Sequence, residues 1–406
     1  MEAFESNDDI VVHHVELAKT GYGLSGGEVC LIEVARYLGR THENVVYVPE
    51  HGRTVYENNG LEAKYRVISS YSVEKRFGVI IAYLWRIVLV TLRTPRFDRS
   101  NKNLIISHSD FLPTVWCAWL MRLRNPEAKW IAFCHMLAPS PFKGYEGEFT
   151  GKTRLIPSVR LLLYRLSQKI FFFLAGSKAD KAIFVNPYYK EFLSRSSLSA
   201  KSAIVMLGAK AYIHNRQNEG ARRKYDGIFV GRFHPQKGIF DLVDICERIV
   251  DSQPDFRMAI VGSGTKRFED RLKEEIQRRG LEANIDLLGY KEGSEKYDIL
   301  LQGRVFLFPS YYESFGIVAI EAMRCGLPVV AYDLPVFRSI FEKGMVRVHP
   351  LDNDAFAKAV LRLLTDQHYY DLMSEEALSY SGDFTWERTG DQVNRIILSL
   401  YGVKDL

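Results

Sequence analysis

The most informative stretch of the sequence is Glu313-Ser-Phe-Gly-Ile-Val-Ala-Ile-Glu321, which follows a predicted buried strand at Val305–Phe308. Two carboxylates so close in sequence invite comparison with a glycosidase acid–base pair, whose carboxyl groups lie about 5 to 9.5 Å apart. Residues eight apart on one helix are instead displaced by about 12 Å and about 80° around the axis. The spacing fits better if Glu313 lies in a loop, a helix begins near Gly316, and Glu321 lies on its second turn.

A loop, a helix N-terminus and two carboxylates together suit a phosphorylated sugar. The N-terminus of a helix offers unpaired backbone N–H groups and a partial positive charge, which favour a phosphate. Carboxylates can accept hydrogen bonds from sugar hydroxyls. On spacing alone, a solvated loop glutamate and a glutamate on a helix surface explain the stretch equally well.

A second segment places two cations after another predicted strand. Residues 227–238 read Gly-Ile-Phe-Val-Gly-Arg-Phe-His-Pro-Gln-Lys-Gly, and the apolar residues that follow recur at helical spacing. Ligands of open α/β sheets bind at the carboxyl ends of the strands. Arg232 offers a planar fork and Lys237 a mobile point charge, which together suit a diphosphate without a metal. Basic residues in such a loop are otherwise most often solvated.

With Ala-Met-Arg-Cys-Gly-Leu-Pro-Val-Val at 322–330, these ordered motifs resemble the family 4 (GT4-like) retaining glycosyltransferases of the GT-B fold. The resemblance implies an α/β fold with two Rossmann-like domains facing each other across a cleft. It also implies that Arg232 and Lys237 bind the donor diphosphate, while Glu313 faces the transferred sugar. The other substrate-binding residues that it implies here are Ser314, Phe315, Gly316, Ile317 and Glu321. Among these, the N–H groups of 315–317 complete a phosphate cradle, and Glu321 binds the nucleotide ribose.

The same resemblance extends to a glycine-rich segment and a histidine in the first half of the chain. Residues 21–28 read Gly-Tyr-Gly-Leu-Ser-Gly-Gly-Glu, and the family's loop of this kind implies that Gly26 and Gly27 contact the donor phosphates. His135, at the end of a predicted strand, matches the family's histidine that faces the donor sugar. Gly262 follows another strand and is a weaker candidate. Turns explain most glycine-rich loops, and a histidine at a strand end is more often structural.

The composition is that of a globular chain with more than one core. The 406 residues are 47% hydrophobic and 25% charged, which suits two domains. Strand candidates alternate with helical patterns, which indicates parallel sheets wound with helices. In the first half these strands are Val11–Val15, Val45–Val48, Leu104–Ser107, Trp130–Cys134, Ala182–Val185 and Ile204–Leu207. In the second half they are Ile228–Val230, Met258–Val261, Ile285–Leu288, Val305–Phe308, Val329–Ala331 and Val346–Val348.

These patterns predict two Rossmann-like domains, at residues 1–210 and 211–385. The resemblance implies that the first is the acceptor-side domain and the second the nucleotide-sugar-binding domain. The polar run 211–226 is the predicted linker. The resemblance implies that a C-terminal helix at 386–406 crosses back to the first domain.

No metal or other cofactor is expected beyond the nucleotide-sugar donor, which is a substrate. Asp352-Asn353-Asp354 superficially resembles an Asp-x-Asp metal motif, but it precedes a helical pattern, where aspartate is an ordinary N-cap. The five cysteines are scattered without a Cys-x-x-Cys, which suggests neither zinc nor a disulfide framework. The net charge of +5 favours an anionic surface or substrate. No nucleic-acid partner is predicted.

Two apolar stretches bear on location. Phe77–Leu92 contains Arg86 and is shorter than the roughly 20 residues of a membrane span. Residues 154–174 combine apolar side chains with basic ones, a pattern found in helices that lie on anionic membranes. Packing of both stretches in a domain core is the alternative. With an acidic N-terminus unlike a signal peptide, the sequence predicts a cytoplasmic enzyme, peripheral at the inner membrane face, whose acceptor is a glycan or a lipid-linked sugar.

Three classes of function remain open at this point. The first is retaining, metal-independent transfer of a hexose from a nucleoside diphosphate to an acceptor hydroxyl, with the leaving phosphate stabilised by cations and no enzyme nucleophile. The second is a nucleotide-sugar isomerase or epimerase of the same fold. The third is a non-catalytic scaffold partner, although Arg232, Lys237, Glu313 and Glu321 are all present.

Overall fold

The computed structural model describes residues 10–402 except 22, 146, 152 and 211–222. The chain packs as two compact units. Unit 1 comprises residues 1–141, 158–207 and 386–406, and unit 2 comprises 142–157 and 208–385. The acidic start of the chain and most of the predicted linker lie outside the described residues.

Each unit is built on one parallel sheet. The strands are β1 (Ile10–Val15), β2 (Glu43–Val48), β3 (Lys64–Val67), β4 (Lys102–Ser107), β5 (Lys129–Cys134), β6 (Lys181–Phe184), β7 (Ser202–Ile204), β8 (Tyr225–Val230), β9 (Met258–Val261), β10 (Ile285–Gly289), β11 (Gly303–Phe308), β12 (Val329–Tyr332) and β13 (Met345–Val348). In unit 1 seven strands have the order β3-β2-β1-β4-β5-β6-β7, and in unit 2 six have the order β10-β9-β8-β11-β12-β13. In each sheet the order in which successive strands are added reverses at a central strand, next to β1 in unit 1 and next to β8 in unit 2. Open α/β sheets bind ligands at such a switch point.

Helices connect the strands and cover the sheets. They are α1 (Gly26–Leu38), α2 (Glu50–Asn58), α3 (Tyr71–Phe77), α4 (Val79–Arg93), α5 (Leu112–Arg124), α6 (Gly147–Thr150), α7 (Val159–Lys178), α8 (Lys190–Ser194), α9 (Ile239–Ser252), α10 (Lys266–Arg278), α11 (Gly293–Leu301), α12 (Ile317–Arg324), α13 (Pro335–Arg338), α14 (Asn353–Thr365), α15 (Gln367–Ser381) and α16 (Trp386–Leu400). In the described part of the chain, none of them combines the length and the apolarity needed to cross a bilayer.

The sheet of unit 1 has a core on each face. On one face α4, α5 and α7 bury side chains against the strands, as Val90, Met121 and Phe171 do. On the other face α1 and α2 pack over β2. Helix α16 packs on α1, where Gly390 lies against the ring of Tyr37.

Two strand predictions needed correction. The strand predicted at Ile204–Leu207 is wrong in position, because β7 ends at Ile204 and the apolar residues after it leave the sheet while staying buried. Strand β3 was missed because Lys64–Val67 is a mostly exposed edge strand without apolar alternation.

Residues 142–157 also differ from the sequence-based division. They were placed in the first domain, but they pack with unit 2. The reason is aromatic contact, since Tyr145 meets the rings of His234 and Tyr312 edge-on, and Phe149 packs near Tyr311.

Helix α4 is fastened by a buried arginine. Arg86 has no exposed surface, and its guanidinium donates to the Leu17 carbonyl at 2.8 Å, to the Ser70 hydroxyl at 2.8 Å and to the Glu74 carboxylate at 2.6 Å. Removing only one partner of such a buried ion pair leaves the other charge without compensation, which destabilises the fold.

We therefore expect Arg86→Met to lower the free energy of unfolding by about 3 kcal/mol, because Glu74 and the Leu17 carbonyl lose their donor. Arg93→Met is the control, since Arg93 is exposed on the same helix. Urea denaturation measures both. Equal stability of the two variants would contradict a structural role for Arg86.

Candidate functional site

The two motif-bearing loops of unit 2 meet because their strands are neighbours. Strands β8 and β11 pair in parallel, so the loops that follow them leave the same edge of the sheet. Gln236 links the two loops through two hydrogen bonds. Its side-chain amide donates to the Tyr312 carbonyl at 2.6 Å, and its backbone carbonyl accepts from the Tyr311 N–H at 2.9 Å. The predicted convergence of the two motifs is thereby found in the structure.

Lys237 and Glu313 form an ion pair within this junction. Both side chains are largely buried, with 14% of Lys237 and 8% of Glu313 exposed. The ammonium also lies 5.5 Å from the centre of the Phe308 ring. Arg232, by contrast, is exposed and makes no hydrogen bond or ion pair with the described residues. The junction thus holds one internally neutralised cation and one available cation.

Gly238 lets the first loop approach the second strand end. Its φ is +62°, and an added Cβ would lie 1.9 Å from the Pro309 carbonyl oxygen. Gly262 plays the same part on the next strand, with φ +151° and a Cβ position 1.9 Å from the Gly231 carbonyl oxygen. Gly262 therefore packs against the backbone of Gly231, the residue before Arg232. Only glycine fits at positions 238 and 262.

Helix α12 begins as the sequence predicted. Gly316 is its N-cap with φ +95°, and Ile317 is its first residue. Phe315 is buried, while Ser314 and Ile317 are half-buried. The first N–H groups of such a helix have no helical partner and suit an anion.

Glu321 lies on the second turn of α12 and is already engaged. Lys296 donates to both carboxylate oxygens at 2.6 Å, and the Tyr297 hydroxyl donates at 2.9 Å. Burial and the Glu321 charge raise the pKa of Tyr297 far above its usual value, so it remains a neutral donor. Lys296 and Tyr297 were missed by sequence reasoning, because nothing local to α11 indicates a contact with α12.

In unit 1 the structure brings Gly27 and His135 together. A Cβ at Gly27 would lie 3.1 Å from the ring of His135. The Nε2–H of His135 donates to the His108 carbonyl at 3.0 Å. Burial lowers the pKa of His135 to about 4, with that hydrogen bond opposing the shift. The imidazole is therefore neutral at physiological pH, with Nδ1 as the nitrogen that can accept a proton.

The placement of Gly26 and Gly27 needs a correction. The sequence assigned them to the loop before a helix, but they are the first two residues of α1. The helix begins early because the Ser25 N–H is capped by the Glu28 carboxylate at 2.6 Å. Backbone N–H groups near Gly27 thus belong to a helix N-terminus, which still suits an anion.

Behind His135 lies a chain of buried polar side chains that the sequence did not reveal. His14 Nδ1 lies 2.8 Å from His108 Nε2, and His14 Nε2 lies 3.0 Å from the Asn44 side-chain oxygen. Burial lowers the pKa of His14 to about 4 and that of His108 well below its usual value. Of these residues, His108 contacts His135 directly, since its carbonyl accepts the His135 hydrogen bond.

The alternative metal motif has a structural explanation. The Asp352 side chain accepts from the Ala355 N–H at 2.9 Å and caps α14, as predicted. Asp354 pairs with Arg248. Both carboxylates therefore have ordinary structural partners.

Comparison with known proteins finds a family similar to most of unit 2. Residues 211–379 match the family model described as Glycosyl transferases group 1. This part of the chain is therefore similar to group 1 glycosyltransferases. The resemblance to GT4-like glycosyltransferases that was stated from the motifs is thereby confirmed over these residues.

Curated relatives have similar names. A D-inositol 3-phosphate glycosyltransferase of Corynebacterium urealyticum is 28% identical over 314 residues, covering 72% of this chain and 71% of that protein. A phosphatidyl-myo-inositol mannosyltransferase of Mycobacterium leprae is 32% identical over 177 residues, covering 42% of this chain and 45% of that protein. Three further curated relatives are matched over less than two thirds of their own length, between 42 and 62%.

Solved structures agree on the fold. Anabaena HepE, solved in complex with UDP and glucose, superposes with a TM-score of 0.72 at 16% identity, covering 96% of this chain and all of that one. At this identity the similarity speaks for the fold alone. The predicted GT-B fold is confirmed.

Gly238 offers a test of the junction geometry. Gly238→Ala places a methyl group against the Pro309 carbonyl in addition to the left-handed strain, and Gly280→Ala meets the same strain at φ +68° with open space around it. We expect Gly280→Ala to cost about 1 kcal/mol of unfolding free energy, and Gly238→Ala at least about 2 kcal/mol more. Urea denaturation of both variants measures the difference. Equal losses would show that the loops do not touch as described.

Proposed function

We propose that this protein is a retaining glycosyltransferase that moves a hexose from a nucleoside diphosphate to a hydroxyl of a glycan or lipid-linked acceptor. The observation that carries the proposal is the junction of the two unit 2 loops, where Lys237 pairs with Glu313 beside the N-terminus of α12. Cations, helix N–H groups and carboxylates are the three kinds of group that a nucleotide sugar requires.

The leaving group is the proposed target of the cations. As the anomeric C–O bond breaks, negative charge develops on the diphosphate, and groups that are already oriented toward it lower the barrier. Arg232 is free to bind a diphosphate in a bidentate manner. Lys237 is held in place by Glu313, so it does not have to be ordered when the donor arrives.

The carboxylates are proposed to hold the two sugars. Glu313 faces the transferred hexose, and Glu321 binds the ribose hydroxyls. Because Lys296 and Tyr297 donate to Glu321, its carboxylate is fixed as an acceptor before the nucleotide arrives. Gly26, Gly27 and His135 keep the donor-side roles that the family resemblance implies.

The acceptor hydroxyl attacks from the face that the diphosphate leaves, and the departing phosphate oxygen takes its proton. This route retains the anomeric configuration without an enzyme nucleophile or a metal. The proposal of a hexose is supported by the mannosyltransferase names of two curated relatives.

The names of curated relatives support the proposed acceptor. Their names include a phosphatidyl-myo-inositol mannosyltransferase and an O-antigen chain mannosyltransferase, so both lipid-linked and glycan acceptors have precedents. We propose a cytoplasmic enzyme that is peripheral at the inner membrane face. An isomerase or epimerase of the same fold is the second candidate, and incubation with donor alone distinguishes it, since only an isomerase changes the sugar without an acceptor.

Arg232→Ala gives the first test. The side chain is exposed and without a partner among the described residues, so the variant should have the same free energy of unfolding as the parent. We expect kcat for donor hydrolysis and transfer to fall about 100-fold, the usual effect of removing one charge-stabilising donor. Lys237→Ala should lose at least as much activity, and Lys358→Ala on exposed α14 is the control. Full activity of Arg232→Ala would refute the role of this residue.

Metal independence gives the second test. With charge stabilisation supplied by Arg232, Lys237 and the α12 N-terminus, we expect transfer rates to be unchanged after treatment with EDTA and removal of the chelator. A loss of activity that Mg²⁺ or Mn²⁺ restores would contradict this part of the proposal.

Thermal-shift measurements with UDP-, GDP- and ADP-sugars, each with and without EDTA, identify the donor, because a ligand that binds only the folded state raises Tm.

A further inference from the structure

One face of unit 1 is covered by three neighbouring helices. Helix α5 packs between α4 and α7, and all three bury side chains in the same core on the same side of the sheet. Their outer sides therefore face the same way. We call this outer surface the α4–α5–α7 face.

The α4–α5–α7 face exposes many large apolar side chains. Helix α4 buries only Ala82, Arg86, Leu89 and Val90, and Leu92 on its outer side is 73% exposed, as is Phe173 on α7. The other exposed apolar residues of α4 and α7 are Val79, Ile80, Ile81, Leu84, Trp85, Val88, Val159, Leu162, Leu163 and Leu166. Packing in the core, the alternative drawn from the sequence, accounts for one stripe of each helix only. A set this large marks an interaction surface rather than scattered exposure.

The charges on this face have one sign. Helix α7 carries Arg160, Arg165, Lys169 and Lys178 and no acidic residue. With α3, α4 and α5 included, the helices carry ten basic residues and one acidic residue, Glu74, whose carboxylate is paired with Arg86. Arg160, Arg165 and Lys169 are exposed and make no ion pair with the described residues. The net charge of the chain is only +5, so positive charge is concentrated here.

We propose that the α4–α5–α7 face docks on an anionic lipid bilayer. Exposed leucine, isoleucine and tryptophan side chains can enter the boundary of the acyl chains, while arginine and lysine at the same level meet lipid phosphates. Trp85 on α4 has the amphipathic ring that is enriched at membrane interfaces. No helix inserts across the bilayer in this arrangement, and binding depends on apolar area and on charge together.

A second copy of the chain fits this face less well. A symmetric dimer would place the same patch on both subunits, so the basic residues of α7 would face each other without acidic partners on the described parts of these helices. Like charges brought together at an interface oppose association. An anionic surface is the complement that this charge pattern requires.

This inference deepens the membrane part of the proposed function, and it places lipid-linked acceptors within reach of unit 1. The docking itself does not require that sugar transfer occur. Binding to vesicles and catalysis on a soluble acceptor can therefore be measured separately.

The test is flotation of the full chain with vesicles of phosphatidylcholine alone or mixed with phosphatidylglycerol. We expect binding to the mixed vesicles at low salt and weaker binding at high salt. The triple variant Arg160→Glu, Arg165→Glu and Lys169→Glu should weaken binding at least about tenfold. The matched control reverses three exposed charges of unit 2, with Arg267→Glu, Lys273→Glu and Lys358→Glu, and should bind like the parent.

The apolar contribution is tested with Ile80→Ser and Leu84→Ser together, matched by Leu372→Ser and Leu378→Ser on exposed positions of α15. Only the first pair should weaken flotation. Equal effects of the matched variants, absent vesicle binding, or a dimer that the first pair dissociates without any vesicle binding would each overturn the proposal. Donor hydrolysis should stay unchanged in all four variants, so lost docking with retained hydrolysis leaves the proposed function standing.

Discussion

The pairing of β8 with β11 is the constraint on which the site depends. Parallel strands that are neighbours end at the same edge, so the loop carrying Lys237 and the loop carrying Glu313 must meet there. Gln236 then links the loops through two hydrogen bonds, and Gly238 removes the side chain that would keep them apart. Without this pairing, the two motifs would be a solvated basic loop and a solvated acidic one.

The buried charges of the junction occur as ion pairs. Burying the Lys237 ammonium or the Glu313 carboxylate alone would cost several kcal/mol, and the ion pair offsets that cost. The same holds for Lys296 and Glu321 at the other end of α12. The cations are therefore already oriented when a diphosphate arrives. The diphosphate can replace the carboxylates as partner of the cations, and the carboxylates can then accept hydrogen bonds from sugar hydroxyls. Arg232 has no such partner among the described residues, which makes it the simplest electrostatic contact for the donor.

The sequence predicted those parts of the site that depend on local spacing. Gly316 as a helix start, Glu321 on the second turn and the strand before Glu313 follow from glycine, periodicity and an apolar run, and the structure agrees. Contacts between distant segments left no such signal. Lys296 reaches Glu321 from α11, and Tyr145 reaches His234 from far back in the chain. Both contacts are decided by how side chains pack.

The fold showed the same division between local and distant information. Buried strands with apolar runs were predicted well, whereas the polar edge strand β3 was not, because an edge strand needs no apolar face. The early start of α1 depends on the Glu28 carboxylate reaching the Ser25 N–H, a local cap that the paired glycines obscured. For α4 the sequence left core packing and a membrane surface both open, and the structure shows that only one stripe of the helix is buried.

The most direct measurement is a crystal structure of the protein with a bound nucleoside diphosphate. We expect diphosphate oxygens within hydrogen-bond distance of Arg232, the Lys237 ammonium and the first N–H groups of α12, with the ribose hydroxyls on Glu321. A diphosphate bound elsewhere, with the Lys237–Glu313 pair untouched and Arg232 still in solvent, would contradict it.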